Sequence, residues 1–359
     1  MSPQNPRIRL SEVAATVQTY LDQHSATQYP HALVKELARQ GVFGATVPLE
    51  YDGSACDPTQ AAQLSYTLAR SWQALAGLVG THLKLCRQAA EHGTETQKAQ
   101  WLPAMASGRT ICARGYHEQA VADPRELRTR AELRGTEGAL HGSKHWVTNA
   151  RHADRILVIA RTDRATVGVW VDPTRSGVLL GEDLPRAGML GVSLAEVHLD
   201  DYRFDPEADT LGGWNHDLTD ALQSYDVTSY ATRAIAAVDA VHERVLTLVR
   251  AAHAGRSEAA LGAITLRLGE LAVTRAAMHA VWRDATTSRP ATGSRHAKVF
   301  CTASLQQFLA VAVPLCGGAG FAGEDDIVAR HYQDAIALSI TGQPNDMLMS
   351  RLGEEDLCP

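Results

Sequence analysis

The chain has 359 residues, of which 45% are hydrophobic and 21% charged, and its formal net charge is -6. This composition is typical of a globular protein with more than one sub-domain, and it excludes the basic stripe that nucleic-acid binding requires. The first nine residues are polar, and the longest apolar run, residues 308–321, is broken by Pro314 and glycines. We therefore predict no secretory signal and no membrane span. Six cysteines without a CxxC pair indicate reduced thiols in a cytoplasmic protein.

The first part of the chain, residues 1–112, is predicted to be a helical domain. Leu10, Val13 and Val17 share one helical face, and Pro30 and Gly41 are expected to begin and end the next helix. Longer helical patterns cover 61–78 and 82–92, and Thr94 with Gln97 forms a capping-box pattern before a further helix.

The spacing of hydrophobic residues is no longer helical in the middle part, residues 113–215. Short β-branched or alternating runs are separated by Gly, Asp, Pro and Asn, which predicts a small antiparallel sheet domain. The predicted strands are 139–141, 145–148, 156–160, 167–171 and 195–199.

The helical period returns in the last part, residues 216–359. Ala234, Val238, Val241 and Val245 form one apolar stripe, and further helices are predicted over 259–282 and 296–313. The order of helices, sheet and helices indicates a mainly α protein with a central β-domain. The spacing of histidines and carboxylates predicts no metal site, and small-residue packing explains Cys316.

Four segments resemble the acyl-CoA dehydrogenase family and occur in its order. They are HGTETQKAQWLPAMASG (92–108), GSKHWVTNARHADRILVIART (142–162), GMLGVSLAEVHLDDYRF (188–204) and LCGGAGF (315–321). The resemblance implies an N-terminal helical domain, a middle β-barrel-like domain and a C-terminal four-helix bundle. It also implies FAD between the last two parts, completed by a neighbouring subunit of a homodimer or homotetramer. The family's reaction is α,β-dehydrogenation of an acyl thioester, in which a carboxylate takes the α-proton.

The resemblance places several residues beside the flavin. Trp146 and Thr148 match the family's isoalloxazine contacts, and Tyr116 and His117 stand in its "x-T-E" segment. Gly317 and Gly318 match its glycine turn, and Gln343 follows the catalytic position in the "Y-E-G-T" segment. Each has a plainer interpretation: a core tryptophan, a surface-loop histidine, or a turn between helices.

The catalytic carboxylate is missing from both positions where the family keeps it. Thr341 stands in one position and Thr228 in the other, and a hydroxyl needs its own activation to act as a base. His117, Asp346 and Asp226 are the candidate replacements, because an imidazole or carboxylate can accept a proton near neutral pH.

Other departures concern the contacts that hold FAD. Ala122 replaces a serine, Pro314 replaces a glutamine, and the arginine segment that normally reaches the partner's pyrophosphate is not visible, although Arg256 lies nearby. Losing several hydrogen bonds of about 1 kcal/mol each would weaken FAD binding.

Three functions remain open. The first is FAD-dependent oxidation of an acyl thioester, linked to coenzyme A or a carrier protein, in secondary metabolism. The second is a flavin-dependent monooxygenase or oxidase on the same fold, which needs no α-proton base. The third is a family member that has lost FAD and performs non-redox chemistry or acts as a partner protein.

Overall fold

A computed structural model describes residues 8–119, 121, 124–223, 227–253, 258–288, 291–320 and 327–357. It contains helices, then one sheet, then helices, as the sequence predicted. The helices are α1 (Leu10–Leu21), α2 (His31–Arg39), α3 (Pro58–Ser71), α4 (Gln73–His92), α5 (Glu95–Ala106), α6 (Thr219–Gln223), α7 (Thr228–His253), α8 (Glu258–Ser288), α9 (Ala291–Leu315), α10 (Ile327–Ile340) and α11 (Asn345–Leu357). The strands are β1 (Cys112–Gly115), β2 (Arg130–Arg134), β3 (Glu137–Thr148), β4 (Arg155–Arg161), β5 (Thr166–Val171), β6 (Val178–Leu180) and β7 (Leu194–Phe204).

The N-terminal helices form where local signals agree. The Thr94 hydroxyl oxygen accepts a hydrogen bond from the Gln97 amide, and the Thr94 amide donates one to the Gln97 side-chain oxygen, so the predicted capping box is confirmed. Pro30 precedes α2 and Gly41 follows it with φ +77°, as predicted. The single helix predicted over 61–78 is wrong, because the chain leaves helical geometry at Trp72 (φ -153°).

The middle part is one seven-stranded sheet in the order β1-β4-β2-β3-β7-β6, with β5 paired to β4. The antiparallel prediction needs a correction, because β4 pairs in parallel with β1 and with β2. All five predicted strand segments lie within β3, β4, β5 and β7. The sequence prediction missed β1, β2 and β6.

The last four long helices, α7 to α10, pack around a core to which the predicted α7 stripe of Ala234, Val238, Val241 and Val245 contributes. Asp239 on α7 accepts hydrogen bonds from Tyr66 on α3 (2.6 Å) and from His279 on α8. This carboxylate therefore joins the bundle to the N-terminal helices.

Helix α9 is long and apolar enough, by length and composition, to cross a membrane over Gly293–Leu315. Only 44% of that window is buried inside the protein. One such helix is weak evidence for a span, since a core helix of a globular protein has the same composition.

A loop at residues 188–192 connects all three parts. Trp72 is buried and donates its indole N–H to Leu190 O (3.1 Å), and the Met189 amide donates to the buried carboxylate of Asp334 on α10. Gly191 has φ +81°, and a Cβ there would lie 2.4 Å from the Trp72 ring. Only glycine has both the backbone freedom and the small size that this contact requires.

Candidate active site

A cleft of about 220 Å³ lies where the ends of β1 and β3 meet α4, α7 and the α10–α11 loop. It brings together five of the predicted flavin contacts: Tyr116, His117, Trp146, Thr148 and Gln343. Its other lining residues are Thr81, Lys84, Arg114, Val121, Leu222, Tyr230, Gly342, Pro344, Met347 and Arg351.

Trp146 is the most unusual residue of the cleft. Its φ is +57°, a conformation that bulky residues rarely adopt, and the β3–β7 register shifts between Lys144 and Val147. The shift turns the indole outward, so Trp146 is 54% exposed while Val147 is buried. A strained, exposed aromatic ring in a cleft is suited to packing on a flat ligand.

A buried ion pair fixes the segment that follows β1. The Lys144 ammonium donates to the Glu118 carboxylate (2.6 Å), and both side chains are buried. Glu118 also accepts hydrogen bonds from the Arg128 amide, from the Thr129 amide and from the Thr129 hydroxyl. Burial opposes ionisation of Glu118, but Lys144 and these donors hold the pKa of its carboxyl below its ordinary value. Burial lowers the pKa of Lys144 to about 8.

His117 is positioned by this anchor, because it directly precedes Glu118 and its carbonyl accepts the His145 amide (2.8 Å). Burial lowers the pKa of His117, and the nearby His145 acts in the same direction. The ring is therefore neutral near pH 7, with one nitrogen able to donate and the other able to accept a hydrogen bond.

A second cavity, of about 360 Å³, lies between α3 and α4 on one side and α7, α8 and α9 on the other. Its wall is mostly apolar, with Leu64, Leu68, Val79 and Leu83, and it also carries hydroxyl-bearing and cationic residues. Lys84 lines both this cavity and the cleft. Among the described residues that line the two spaces, none is an aspartate or a glutamate.

Comparison with known families decides the relationship. The acyl-CoA dehydrogenase N-terminal, middle and C-terminal domain models match residues 10–109, 117–202 and 225–355. The chain belongs to the acyl-CoA dehydrogenase family. Its fold is the three-part acyl-CoA dehydrogenase fold that the sequence predicted, with a curled sheet in the middle.

Individual relatives are distant. Mitochondrial isovaleryl-CoA dehydrogenase of Pongo abelii is 31% identical over 202 residues, covering 54% of this chain and 48% of that protein. This chain thus spans about half the length of that curated relative. The butyryl-CoA dehydrogenase structure from Megasphaera elsdenii has a TM-score of 0.86 at 21% identity and covers 97% of this chain and 98% of its own. A prolyl acyl carrier protein oxidase structure has a TM-score of 0.82 at 17% identity and covers 96% of this chain and 98% of its own.

The predicted catalytic residues do not all lie in the cleft. His117 lines the cleft, whereas Thr341 and Asp346 do not. Thr341 is exposed and donates its hydroxyl to Ala337 O (2.6 Å), and Asp346 is exposed in the first turn of α11. Thr228 lines the second cavity. Asp226 lies outside the described residues.

The predicted glycine contacts also lie away from the cleft. Gly317 and Gly318 are exposed beyond the end of α9, and a Cβ on either would meet no atom within 4 Å. Their contact with FAD stays a prediction. Ala122 and Arg256 lie outside the described residues, and Pro314 lies near the end of α9.

Sequence reasoning missed most of the other lining residues of the cleft, including Lys84 and Tyr230, and it missed Lys298, which bonds to the cleft loop. The Lys298 ammonium is buried and donates to Gln343 O, which lies in the cleft loop. Burial, reinforced by the charge of Lys84, lowers the pKa of Lys298 to about 7. The sequence did contain one signal for Lys298, which is a lone lysine within an apolar helical pattern. Burying a lysine is costly, so such a residue is expected to have a function.

Trp146→Gly tests whether the tryptophan serves a ligand rather than the core. We expect the Kd for FAD to rise about tenfold through loss of stacking. The Tm of the FAD-free protein should stay unchanged or rise, because glycine tolerates φ +57°. Fluorescence titration and thermal unfolding measure the two effects. Leu179→Ala, at an exposed position of β6, is the matched control. A large fall in Tm with an unchanged Kd would instead show an ordinary packing residue.

Proposed function

We propose that the protein is an FAD-dependent oxidoreductase that acts on an acyl thioester carried by coenzyme A or a carrier protein. The observation that carries this proposal is the position of Lys84, whose side chain lines both the cleft with the predicted flavin contacts and the adjoining cavity. An acyl group bound in the cavity would therefore have one end beside the predicted flavin contacts. The isovaleryl- and butyryl-CoA dehydrogenases named above support a thioester substrate, and the carrier-protein oxidase supports the carrier alternative.

The residues of the cleft fit a flavin. Trp146 offers a ring face, Thr148 lies two residues further on β3 and also lines the cleft, and neutral His117 can hydrogen-bond the ring edge. Arg114 and Arg351 add positive charge that suits a pyrophosphate. When bound, FAD supplies the two-electron acceptor for the oxidation. The protein residues orient the acyl group and exclude water from it.

The cavity also indicates the kind of acyl group. Its volume suits a small ligand, and Lys84 and Arg87, three residues apart on α4, place two cations in its wall. Ser65, Ser229 and Thr286 add hydroxyl groups. A plain long alkyl chain would leave these groups poorly solvated, so we propose a short acyl group that carries a polar or anionic substituent.

A second candidate is flavin-dependent oxygenation of the same substrate. It is favoured by the lack of any carboxylate among the described lining residues, because that reaction needs no base for an α-proton. Either reaction would suit a role in secondary metabolism. We also propose a homodimer or homotetramer, supported by the exposed apolar stripe of Tyr332, Ile336 and Ile340 along α10.

The visible spectrum of the purified protein, with and without added FAD, tests the proposal. We expect a yellow protein whose flavin absorbance bleaches anaerobically on addition of a short acyl thioester. Bleaching by the thioester supports dehydrogenation. Oxygen consumption that requires a separate reductant supports the oxygenase instead. A colourless protein that binds no added FAD would contradict both and would favour the flavin-free function.

A further inference from the structure

We propose that Tyr230 is the catalytic residue that accepts the substrate's proton, in place of the carboxylate that the family usually carries. This inference rests on the proposed oxidation of an acyl thioester. Tyr230 occupies neither of the two sequence positions at which the family carries its catalytic base.

Tyr230 lies close to both of those family positions. It lies two residues after Thr228 on α7. Its hydroxyl packs on Gly342, the residue after Thr341, so closely that a Cβ on Gly342 would lie 2.6 Å from the Tyr230 oxygen. The missing side chain of Gly342, at φ +75°, therefore makes room for the phenol. Tyr230 lines the cleft, while its neighbours Thr228 and Ser229 line the acyl cavity.

Three described side chains around Tyr230 are positively charged. The ammonium nitrogens of Lys298 and Lys84 lie 5.1 and 5.3 Å from the ring centroid, and the Arg233 guanidinium carbon lies 6.0 Å from it. These groups come from three different helices, α9, α4 and α7. Positive charges at this range in a partly buried site favour an anionic neighbour.

The other charged groups that line the described part of the cleft leave this balance unchanged in sign. Arg114, Arg351 and neutral His117 line the same cleft from β1, α11 and the segment after β1. Among the described residues, the acid that acts on Arg233 is Asp334 on α10, which is buried and accepts a hydrogen bond from the Met189 amide. The described site therefore favours a phenolate at Tyr230, whose proton is released to solvent from this partly exposed position.

The chemical step is a proton transfer. The α-carbon–hydrogen bond of the acyl thioester breaks, and the proton joins the Tyr230 oxygen to form a neutral phenol. The electron pair remains on the substrate as the thioester enolate. A phenolate is a stronger base than a carboxylate, since the ordinary pKa values of the phenol and the carboxylic acid are about 10 and about 4. A phenolate can therefore replace the family's carboxylate as the base.

The first test needs no cofactor. Ultraviolet difference absorbance of the FAD-free protein follows tyrosinate formation as the pH is raised. We expect one tyrosine to ionise well below pH ~10, and we expect this transition to disappear in Tyr230→Phe and to move to higher pH in Lys298→Met. Tyr332→Phe, at an exposed position on α10, is the control that keeps the transition. If wild type shows no early transition, or if Tyr230→Phe retains it, the proposal is overturned.

The second test follows the chemistry in the FAD-loaded protein. Tyr230→Phe should bind FAD as wild type does but should lose about 10²- to 10⁴-fold in the rate of α-proton exchange into deuterated solvent and of flavin bleaching. If wild type bleaches with a thioester and Tyr230→Phe is equally fast, only the role of Tyr230 fails. If wild type neither exchanges nor bleaches although FAD is bound, the proposed thioester oxidation fails, and the role of Tyr230 as its base fails with it. An early tyrosinate transition would then show only that the site stabilises the phenolate.

Discussion

Glu118→Gln is expected to lower the free energy of unfolding by about 3–5 kcal/mol. The change leaves the Lys144 ammonium buried without its carboxylate partner, which now lies at 2.6 Å. It also weakens the acceptor that holds the Arg128 and Thr129 amides. Urea unfolding at neutral pH, followed by circular dichroism, measures the loss.

Two further variants make this result interpretable. Glu118→Gln/Lys144→Met should recover part of the stability, because the double change removes the unpaired charge as well. Glu270→Gln breaks the exposed Arg267–Glu270 pair on α8 (2.8 Å) and should change stability by less than about 1 kcal/mol. Equal effects of Glu118→Gln and Glu270→Gln would contradict the importance of the buried pair.

Acidification from about pH 7 to pH 4 is expected to destabilise the protein by several kcal/mol through two buried histidines. Burial lowers the pKa values of His82 and His331 to about 4. His82 must be neutral, since its Nδ1 accepts the Cys112 amide (3.1 Å) while Nε2 bonds to Met105 O. The unfolded chain protonates both rings near pH ~6.5, so it binds more protons than the folded protein between pH ~6.5 and 4, and stability falls as the pH falls.

The size of the acid effect follows from the same linkage. Each histidine contributes a loss of about 3 kcal/mol. Asp334 acts in the opposite direction, because burial raises its pKa to about 6, so protonating it in the folded protein offsets about one histidine. Free energies of unfolding measured between pH 7 and 4 test the net loss. His331→Gln should flatten the profile, while His24→Gln, at an exposed position on the surface, should not. A flat wild-type profile would contradict the burial of these rings.

Local sequence signals predicted those elements of the fold that depend on neighbouring residues. The Thr94 capping box, the α7 stripe and the strand segments all depend on residues near one another in sequence, and the structure confirms them. The break at Trp72 was missed because its cause is distant: the indole is drawn out of helical register to bond Leu190, more than one hundred residues away.

The same distinction explains what could be predicted of the site. Trp146, Thr148 and His117 lie in contiguous motifs, so their positions in one cleft could be anticipated from sequence. Lys84 and Lys298 could not, because each is an ordinary lysine in a helix until α4, α7 and α9 are brought together around Tyr230. Contacts between residues far apart in the chain carry no local pattern.

The loop at residues 188–192 has a consequence for how the protein comes apart. It is bonded to Trp72 on one side and to Asp334 on the other, and its glycines fit against Ala26 O and Gln333 O with no space for a side chain. The sheet cannot release this loop without exposing the indole to water and leaving the Asp334 carboxyl without its donor. The three parts are therefore thermodynamically coupled, and a calorimetric scan should show one cooperative transition instead of three.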